Sequence, residues 1–398
     1  MARTVPATID EKQLHSWQWL DDFRQCVRVA ARPVGLAPTW TDPARALAYD
    51  DYLSLFFFGL LNPVVRTMRG LCVASRLGRV QAVVCRRHVS LGSFSEAQRL
   101  LDPALLETVF RDLAGAVAAQ APADARLATL PWMARDGSLW RALPRMHWAL
   151  YGAGRPKSEG PASKAVRLHL SFHLLDDKPV RAQVRPGRDC ERAVWAQDWQ
   201  PGDAYVGDRY FGENYRLLGE AEARHCHYLI RIKNDAVVTE LEELPVSAAD
   251  RAAGVTRQAW VRLGARAGHQ SPRVRLVWVE ADGHSLRLVT NLPPAELPAE
   301  LVSLLYRRRW QIELFFRWIK CLLGCRHWLA ESPAGVTLQL YLALIAALLL
   351  QLYTGQRPTR RMMELIQFYL SGLATLDELV AGLERARAAV APRAKKAA

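Results

Sequence analysis

The segment that most constrains how this chain can fold is Tyr306 to Lys320, with the sequence Y-R-R-R-W-Q-I-E-L-F-F-R-W-I-K. It contains neither glycine nor proline, so it predicts one continuous helix. At about 100° per residue, a stripe about 60° wide carries an aromatic ring, two cations and a carboxylate: Tyr306, Arg309, Glu313 and Lys320. Such a stripe is common on solvated helices that are held by ion pairs between residues four apart.

The opposite side of this predicted helix is too apolar for an ordinary surface position. It carries large hydrophobic side chains: Trp310, Leu314, Phe315, Phe316, Trp318, Ile319 and Leu322. We therefore expect the polar stripe to line a cleft in the interior. A buried carboxylate in that cleft needs a cation or a metal ion as its partner.

Positive charge exceeds negative charge along the chain. Lys and Arg number 53 against 39 Asp and Glu, a formal net charge of +14, which favours a nucleic acid as partner over an acidic membrane. Six arginines concentrate near the N-terminus: Arg66, Arg69, Arg76, Arg79, Arg86 and Arg87. They fit either a helical module lying on a DNA backbone or an arginine-rich helical surface.

Cysteine usage and hydropathy favour a cytoplasmic protein. Seven scattered cysteines, an odd number, argue against a secreted disulfide framework. The clusters His225-Cys226-His227 and Cys321-x3-Cys325 lack zinc-site spacing, so we expect no metal there. The first residues lack a signal-peptide core, and Leu340 to Leu350 is too short to span a membrane, so no membrane partner is expected.

The order of predicted elements indicates three regions. Residues 1–125 are predicted to be helical throughout, and residues 126–355 to form an α/β domain. Three antiparallel strands followed by alternating helices and strands give the order of a ribonuclease-H-like mixed sheet. Residues 234–291 alternate in hydrophobicity without a long helix, which predicts an antiparallel β insertion. Residues 356–398 are predicted to be a C-terminal helical segment with a basic tail.

Two aspartates follow predicted strands of the α/β domain. Asp136 stands in the turn-like sequence Asp136-Gly-Ser, and Asp208 stands in Asp208-Arg-Tyr-Phe. Each alone is an ordinary turn sequence.

Together with the Y-x2-R-x3-E-x6-K spacing from Tyr306 to Lys320, these blocks resemble the DDE transposases of bacterial insertion sequences. The match is to the group named for its Y-R-E-K residues, insertion-sequence family four, and it covers the chain from about Leu53 to Gly355.

The resemblance implies both a catalytic set and a DNA-binding set. Asp136, Asp208 and Glu313 are the implied catalytic residues and metal ligands, and three carboxylates suit hard cations, so we expect Mg²⁺, with Mn²⁺ able to substitute. The implied DNA contacts are Tyr306, Arg309 and Lys320. A hairpin intermediate stays open, because Trp278 is a candidate for base stacking but equally suits a strand core.

The implied activity is metal-dependent cleavage and strand transfer at the ends of an insertion sequence. The implied partners are double-stranded DNA, as terminal inverted repeats and as target, and a second copy of the chain in a homodimer on synapsed ends. The N-terminal helical domain would help to bind the element ends, in the nucleoid-associated cytoplasm of a bacterium. Two alternatives stay open: a ribonuclease-H-like nuclease without strand transfer, and a non-catalytic DNA-binding regulator.

Overall fold

The computed structural model describes residues 18–34, 40, 42, 47–119, 124–149, 164–266, 268–281, 283–322 and 328–390. The chain divides into two compact units. The first comprises Met1–Ala118, Trp140–Val166 and Phe316–Ala398, and the second comprises Ala119–Leu139 and Arg167–Phe315. The domain boundaries predicted above stay a prediction.

The helices follow the chain in this order: α1 Gln18–Val34, α2 Tyr49–Leu61, α3 Met68–Ala74, α4 Gly78–Val83, α5 Leu91–Leu100, α6 Ala104–Ala116, α7 Glu191–Gln197, α8 Tyr215–Ala223, α9 Ala248–Ala252, α10 Ala299–Arg308, α11 Trp310–Leu322, α12 Pro333–Thr354, α13 Arg360–Leu370 and α14 Leu376–Val390. Two 3₁₀ turns occupy Ala125–Thr129 and Phe211–Glu213. The described part of the N-terminal region is helical, as the sequence predicts. The helical C-terminal segment is present as α13 and α14, and the end of the predicted basic tail lies outside the described residues.

Helix α12 forms the centre of the first unit. It begins at the cap Ser332, whose side chain accepts from Gly335 N, and ends at Gly355, which adopts φ 69°. It contacts α2, α5 and α6. In the described part of the chain it is the one helix long and apolar enough to cross a membrane by length and composition, and 89% of its most apolar window is buried inside the protein. A buried core helix meets the same criterion.

The second unit is built on a nine-stranded sheet. Its strands are β1 Trp132–Arg141, β2 Ala165–His173, β3 Lys178–Pro186, β4 Ala204–Gly207, β5 His227–Ile232, β6 Val238–Leu244, β7 Val255–Leu263, β8 Val274–Ala281 and β9 His284–Thr290. The order across the sheet is β3-β2-β1-β4-β5-β9-β8-β7-β6.

The strand directions agree with the predicted ribonuclease-H-like arrangement. Leu174 N donates to Trp132 O at the start of β1, while Ala142 N donates to Lys164 O at its end, as antiparallel neighbours do. Strands β1, β4 and β5 run parallel. The mixed α/β fold with a preceding helical region and an antiparallel β insertion is thereby confirmed.

The β insertion continues the main sheet. Strand β9 pairs with β5 in antiparallel fashion, and β8, β7 and β6 extend the sheet outward from it. Its edge strand β6 is mostly exposed. Contrary to the sequence prediction, β1 does not close in a turn at Asp136 but continues to Arg141, because it keeps its pairing with β2.

The predicted continuous helix from Tyr306 to Lys320 is wrong in one respect. It is broken at Arg309, between α10 and α11. There Arg309 N donates to Tyr306 O and Ile312 N donates to Arg309 O, both at 3.2 Å. These hydrogen bonds join residues three apart, as in a 3₁₀ turn, instead of the four of an α-helix. Trp310 is 49% exposed, so it is not part of the apolar face to which the sequence assigned it.

Candidate active site

Parallel pairing brings the two predicted aspartates together. Ala134 of β1 stands beside Val206 of β4 in the register. Two residues further along the chain from these partners are Asp136, on β1, and Asp208, the first residue after β4. Neighbouring strands are about 4.8 Å apart, so the register brings the two aspartates close together. The carboxyl end of β4 therefore places a second carboxylate next to the one in β1.

A tight turn fixes the orientation of Asp208. Its Oδ1 accepts a hydrogen bond from Tyr210 N at 2.9 Å, an Asx turn that ends the strand. The following 3₁₀ turn presses its glycine onto β5: a Cβ on Gly212 would lie 2.3 Å from Arg231 O. This close approach accounts for a glycine at that position.

The break between α10 and α11 positions Glu313. Arg309 Nη2 donates to Glu313 Oε1 at 2.6 Å, and the two side chains are 13% and 31% exposed. Arg309 also interacts electrostatically with Asp136. Burial lowers its pKa, but Tyr306, Glu313 and Asp136 oppose that effect and raise it overall, so the guanidinium stays charged among these groups.

Asp136 has a strongly perturbed acidity. Burial raises its pKa from 3.8 to about 6, while the hydrogen bond from Gly137 N and the charge of Arg309 act against that rise. The charges of Asp208 and Glu313 raise it further. Asp208 and Glu313 are therefore both close enough to Asp136 to repel its charge, and a carboxyl pKa raised by burial and like charges is typical of functional sites.

Tyr306 lies against the same group of charges. Burial raises its pKa, Arg309 and Arg231 lower it, and Asp208 raises it again. The Arg309 Cζ atom is 5.8 Å from the centre of the Tyr306 ring. Tyr306, Arg309, Glu313, Asp136 and Asp208 thus form one electrostatic network in the second unit.

Arg231 is a member of this network that the sequence analysis missed. In the register of β4 and β5, Gly207 stands beside Ile230, which puts Arg231 beside Asp208. Its Nε atom is buried without a hydrogen-bond partner among the described residues, as is Nε of Arg309. The signal available in the sequence was a lone cation inside the apolar strand H-Y-L-I-R-I.

The role of Lys320 as a DNA contact stays a prediction. The residue belongs to the first unit, where its Nζ lies 4.6 Å from the centre of the Trp140 ring. Trp278, the candidate for base stacking, lies on β8 under the guanidinium of Arg257, at 5.2 Å. Its contact with that residue suits a structural role on the sheet.

The carboxylates fit a divalent ion by donor chemistry and by charge. Hard cations prefer oxygen ligands, and the repulsion that raises the pKa of Asp136 is the repulsion a cation would relieve. Within the described residues, however, no three histidine, cysteine, aspartate or glutamate side chains are gathered as a finished ligand set. Glu313 is engaged by Arg309 instead.

Of the two cysteine–histidine clusters, the structure describes the side chains of the first. Cys226 is buried and its Sγ donates to Gln200 O at 3.1 Å. The side chains of Cys321, Cys325 and His327 lie outside the described residues.

Comparison with known proteins supports the sequence resemblance. The profile of the family "Transposase DDE domain" matches residues 133–349, a range that contains every member of the network above. A putative transposase of Sinorhizobium fredii is 30% identical over 46% of this chain and 54% of its own length. A probable transposase for an insertion sequence element of Geobacillus stearothermophilus is 27% identical over 58% of this chain and 60% of its own.

The chain thus spans little more than half the length of these relatives. The chain is also similar to a cryo-EM structure of a piggyBac transposase synaptic complex with hairpin DNA, which covers 89% of this chain and 77% of its own, at 12% identity and a TM-score of 0.40. The predicted resemblance is confirmed for insertion-sequence DDE transposases, and the Y-R-E-K subgroup stays a prediction.

Proposed function

Because this chain belongs to the family of DDE-domain transposases, we propose that it is a DNA transposase that binds the ends of an insertion sequence and catalyses metal-dependent cleavage and strand transfer. The observation that carries the proposal is the convergence of Asp136, Asp208 and Glu313, with the pKa of Asp136 raised to about 6. A non-catalytic DNA-binding surface has no need of a buried carboxylate that two other carboxylates repel.

We assign the catalytic and metal-binding roles to Asp136, Asp208 and Glu313. Domains of this family generally use divalent metal ions, and Mg²⁺, with Mn²⁺ as a substitute, is the ion we propose. When bound, such ions would activate the attacking oxygen and neutralise charge on the phosphate and the leaving oxygen. Asp136, whose charge both Asp208 and Glu313 repel, would hold such ions together with them.

We assign phosphate binding to the arginines and the tyrosine around these carboxylates. Arg309 and Arg231 each carry a buried Nε donor without a partner among the described residues, and a phosphate oxygen would satisfy both. Tyr306 offers a hydroxyl to the same phosphate. We assign Lys320 to the DNA-binding set as a point charge on the backbone.

The setting of the reaction follows from the proposed chemistry. Two element ends must be held together for strand transfer, so we propose a homodimer on terminal inverted repeats and target DNA in the bacterial cytoplasm. A nuclease that cuts without joining is the second candidate, since the same carboxylate set supports hydrolysis alone.

Cleavage of a labelled duplex that carries the element's own end tests the proposal. We expect a 3′-OH product with Mg²⁺ or Mn²⁺, none with EDTA, and none from Asp208→Asn. Asp235→Asn removes an exposed carboxylate of the same unit and should cut normally.

Joined products with a target duplex would distinguish a transposase from a nuclease. Specific binding of the end without any cut in either metal would instead overturn the catalytic proposal. Cleavage by Asp208→Asn at the wild-type rate would overturn the site assignment.

A further inference from the structure

A second candidate nucleic-acid site lies wholly within the first unit, in a cavity of about 730 Å³. Three arginines line it, Arg66, Arg69 and Arg141, together with apolar and aromatic side chains that include Leu91, Leu143 and Trp328. It combines positive charge with an aromatic wall, whereas the candidate active site combines carboxylates with buried arginines.

Local hydrogen bonds hold the segment that carries two of these arginines. Asn62 Oδ1 accepts from Val64 N at 2.9 Å and from Val65 N at 3.0 Å. Thr67 Oγ1 accepts from Gly70 N at 3.0 Å and so caps α3. The loop between α2 and α3 is therefore folded on itself, which limits the freedom of the arginines at its surface.

Two buried amide side chains hold the backbone of Leu329, the residue after the aromatic Trp328. Gln98 Nε2 donates to Leu329 O at 3.1 Å, and Gln339 Oε1 accepts from Leu329 N at 3.0 Å. Next to them, Trp328 Nε1 donates to Arg141 O at 2.8 Å, which fixes the orientation of the indole. Because the Trp328 indole is already held in one orientation, it loses little conformational entropy when a ligand stacks on it.

The charge of the cavity is unbalanced. Among the described residues, no carboxylate lies within ion-pair distance of Arg66, Arg69 or Arg141, and all three side chains are exposed. Other arginines nearby are engaged: Arg86 pairs with Asp50 and Asp51, and Arg76 Nε lies 3.0 Å from His88 Nε2. Arg69 and Arg141 thus face the cavity without an ionic partner among the described residues, while Arg66 Nε donates to Pro63 O at 2.8 Å.

We propose that this cavity binds an unpaired nucleotide of a DNA strand, with phosphates on the arginines and the base against Trp328. Arginines supply the donors that phosphate oxygens accept, and unstacked bases bind to aromatic rings. The concave apolar wall distinguishes it from a surface for intact duplex, whose bases stay stacked inside the helix. This inference rests on the proposed function, because it supplies a further DNA contact to that reaction.

Fluorescence anisotropy with a labelled oligodeoxythymidylate, a blunt duplex and a duplex with a single-stranded tail tests the proposal. The pocket variant is Arg69→Gln/Arg141→Gln. Its matched control is Arg79→Gln/Arg87→Gln, which removes two exposed arginines of the same unit that do not line the cavity. For the single strand we expect the pocket variant to lose about 1.4 from the slope of log K against log salt, roughly 0.7 for each phosphate contact. The control should keep the wild-type slope.

Trp328 tests the stacking part of the proposal. Trp328→Leu should bind the single strand and the tailed duplex about tenfold more weakly, and blunt duplex as the wild type does. Trp328→Phe keeps a ring and should recover most of the affinity. Unchanged melting temperatures would establish that each variant is folded.

The inference is overturned if the pocket and control variants lose affinity equally, or if Trp328→Leu binds all three DNAs as the wild type does. Equal losses on blunt duplex and single strand would also overturn it. The outcome is separable from the proposed function. If the wild type cuts DNA with metal but the cavity variants bind DNA normally, only this inference is overturned. If binding depends on the cavity but no DNA is cut, only the transposase proposal is overturned.

Discussion

Replacing the charged carboxylate of Asp136 should make the metal-free protein more stable while it abolishes cleavage. The pKa of Asp136 is raised from 3.8 to about 6, chiefly by burial. At about 1.36 kcal/mol per pH unit, this difference disfavours folding by roughly 3 kcal/mol once the carboxylate is ionised in both states. Asp136→Asn removes that term and keeps an oxygen that can accept from Gly137 N, as Asp136 Oδ1 does at 2.8 Å.

The pH dependence has a definite sign. The unfolded chain releases the Asp136 proton near pH 4, whereas the folded protein holds it to about pH 6. Between those values the folded state binds more protons, so the free energy of unfolding of the wild type falls as the pH rises. The advantage of Asp136→Asn should therefore be near zero below about pH 4 and reach roughly 3 kcal/mol by pH 7.

Urea unfolding in EDTA at a series of pH values, read by circular dichroism, measures this difference. Asp235→Asn serves as the control for an exposed carboxylate and should change stability by no more than about 0.5 kcal/mol. A divalent ion should narrow the gap by binding to the wild type alone. If Asp136→Asn is less stable than the wild type at pH 7, or if its advantage does not vary with pH, the electrostatic account of the site is refuted.

Two further substitutions probe how the site is held. Gly212→Ala places a Cβ 2.3 Å from the backbone oxygen of Arg231, which cannot move aside, so we expect a loss of about 1–3 kcal/mol in urea unfolding together with reduced cleavage. Arg309→Lys keeps the charge beside Glu313 but loses the planar fork, and single-turnover cleavage should fall about tenfold or more with the fold intact. Wild-type cleavage by either variant would show that the turn or the guanidinium is dispensable.

Much of the fold could be predicted from local sequence pattern. Alternation of apolar residues located β2, β3 and β5, and the three strands β7, β8 and β9 of the insertion. The pairing of Asp136 with Asp208 required the resemblance as well, because neither turn-like sequence alone indicates a site. Parallel neighbours in a sheet then bring the two carboxylates together for a geometric reason.

Other features depended on contacts that local pattern does not encode. No glycine or proline marks the break at Arg309, so helix propensity alone does not locate it. Strand β6 was missed because its side chains are mostly polar and its support comes from pairing with β7. Arg231 enters the network through the register of β4 and β5, a non-local pairing.

The unfavourable interactions at the candidate active site are complementary to the proposed substrate. The first unfavourable interaction involves negative charge, because burial and the charges of Asp208 and Glu313 disfavour the ionised form of Asp136. The second involves hydrogen-bond donors, because the buried Nε atoms of Arg231 and Arg309 have no acceptor among the described residues. A cation would relieve only the repulsion of the Asp136 carboxylate, and an anion would satisfy only the arginine donors. Binding both together also keeps the added net charge small. A phosphodiester with its divalent ion meets both needs at once, so the instability of this site is itself an argument for a metal-bound phosphate as its ligand.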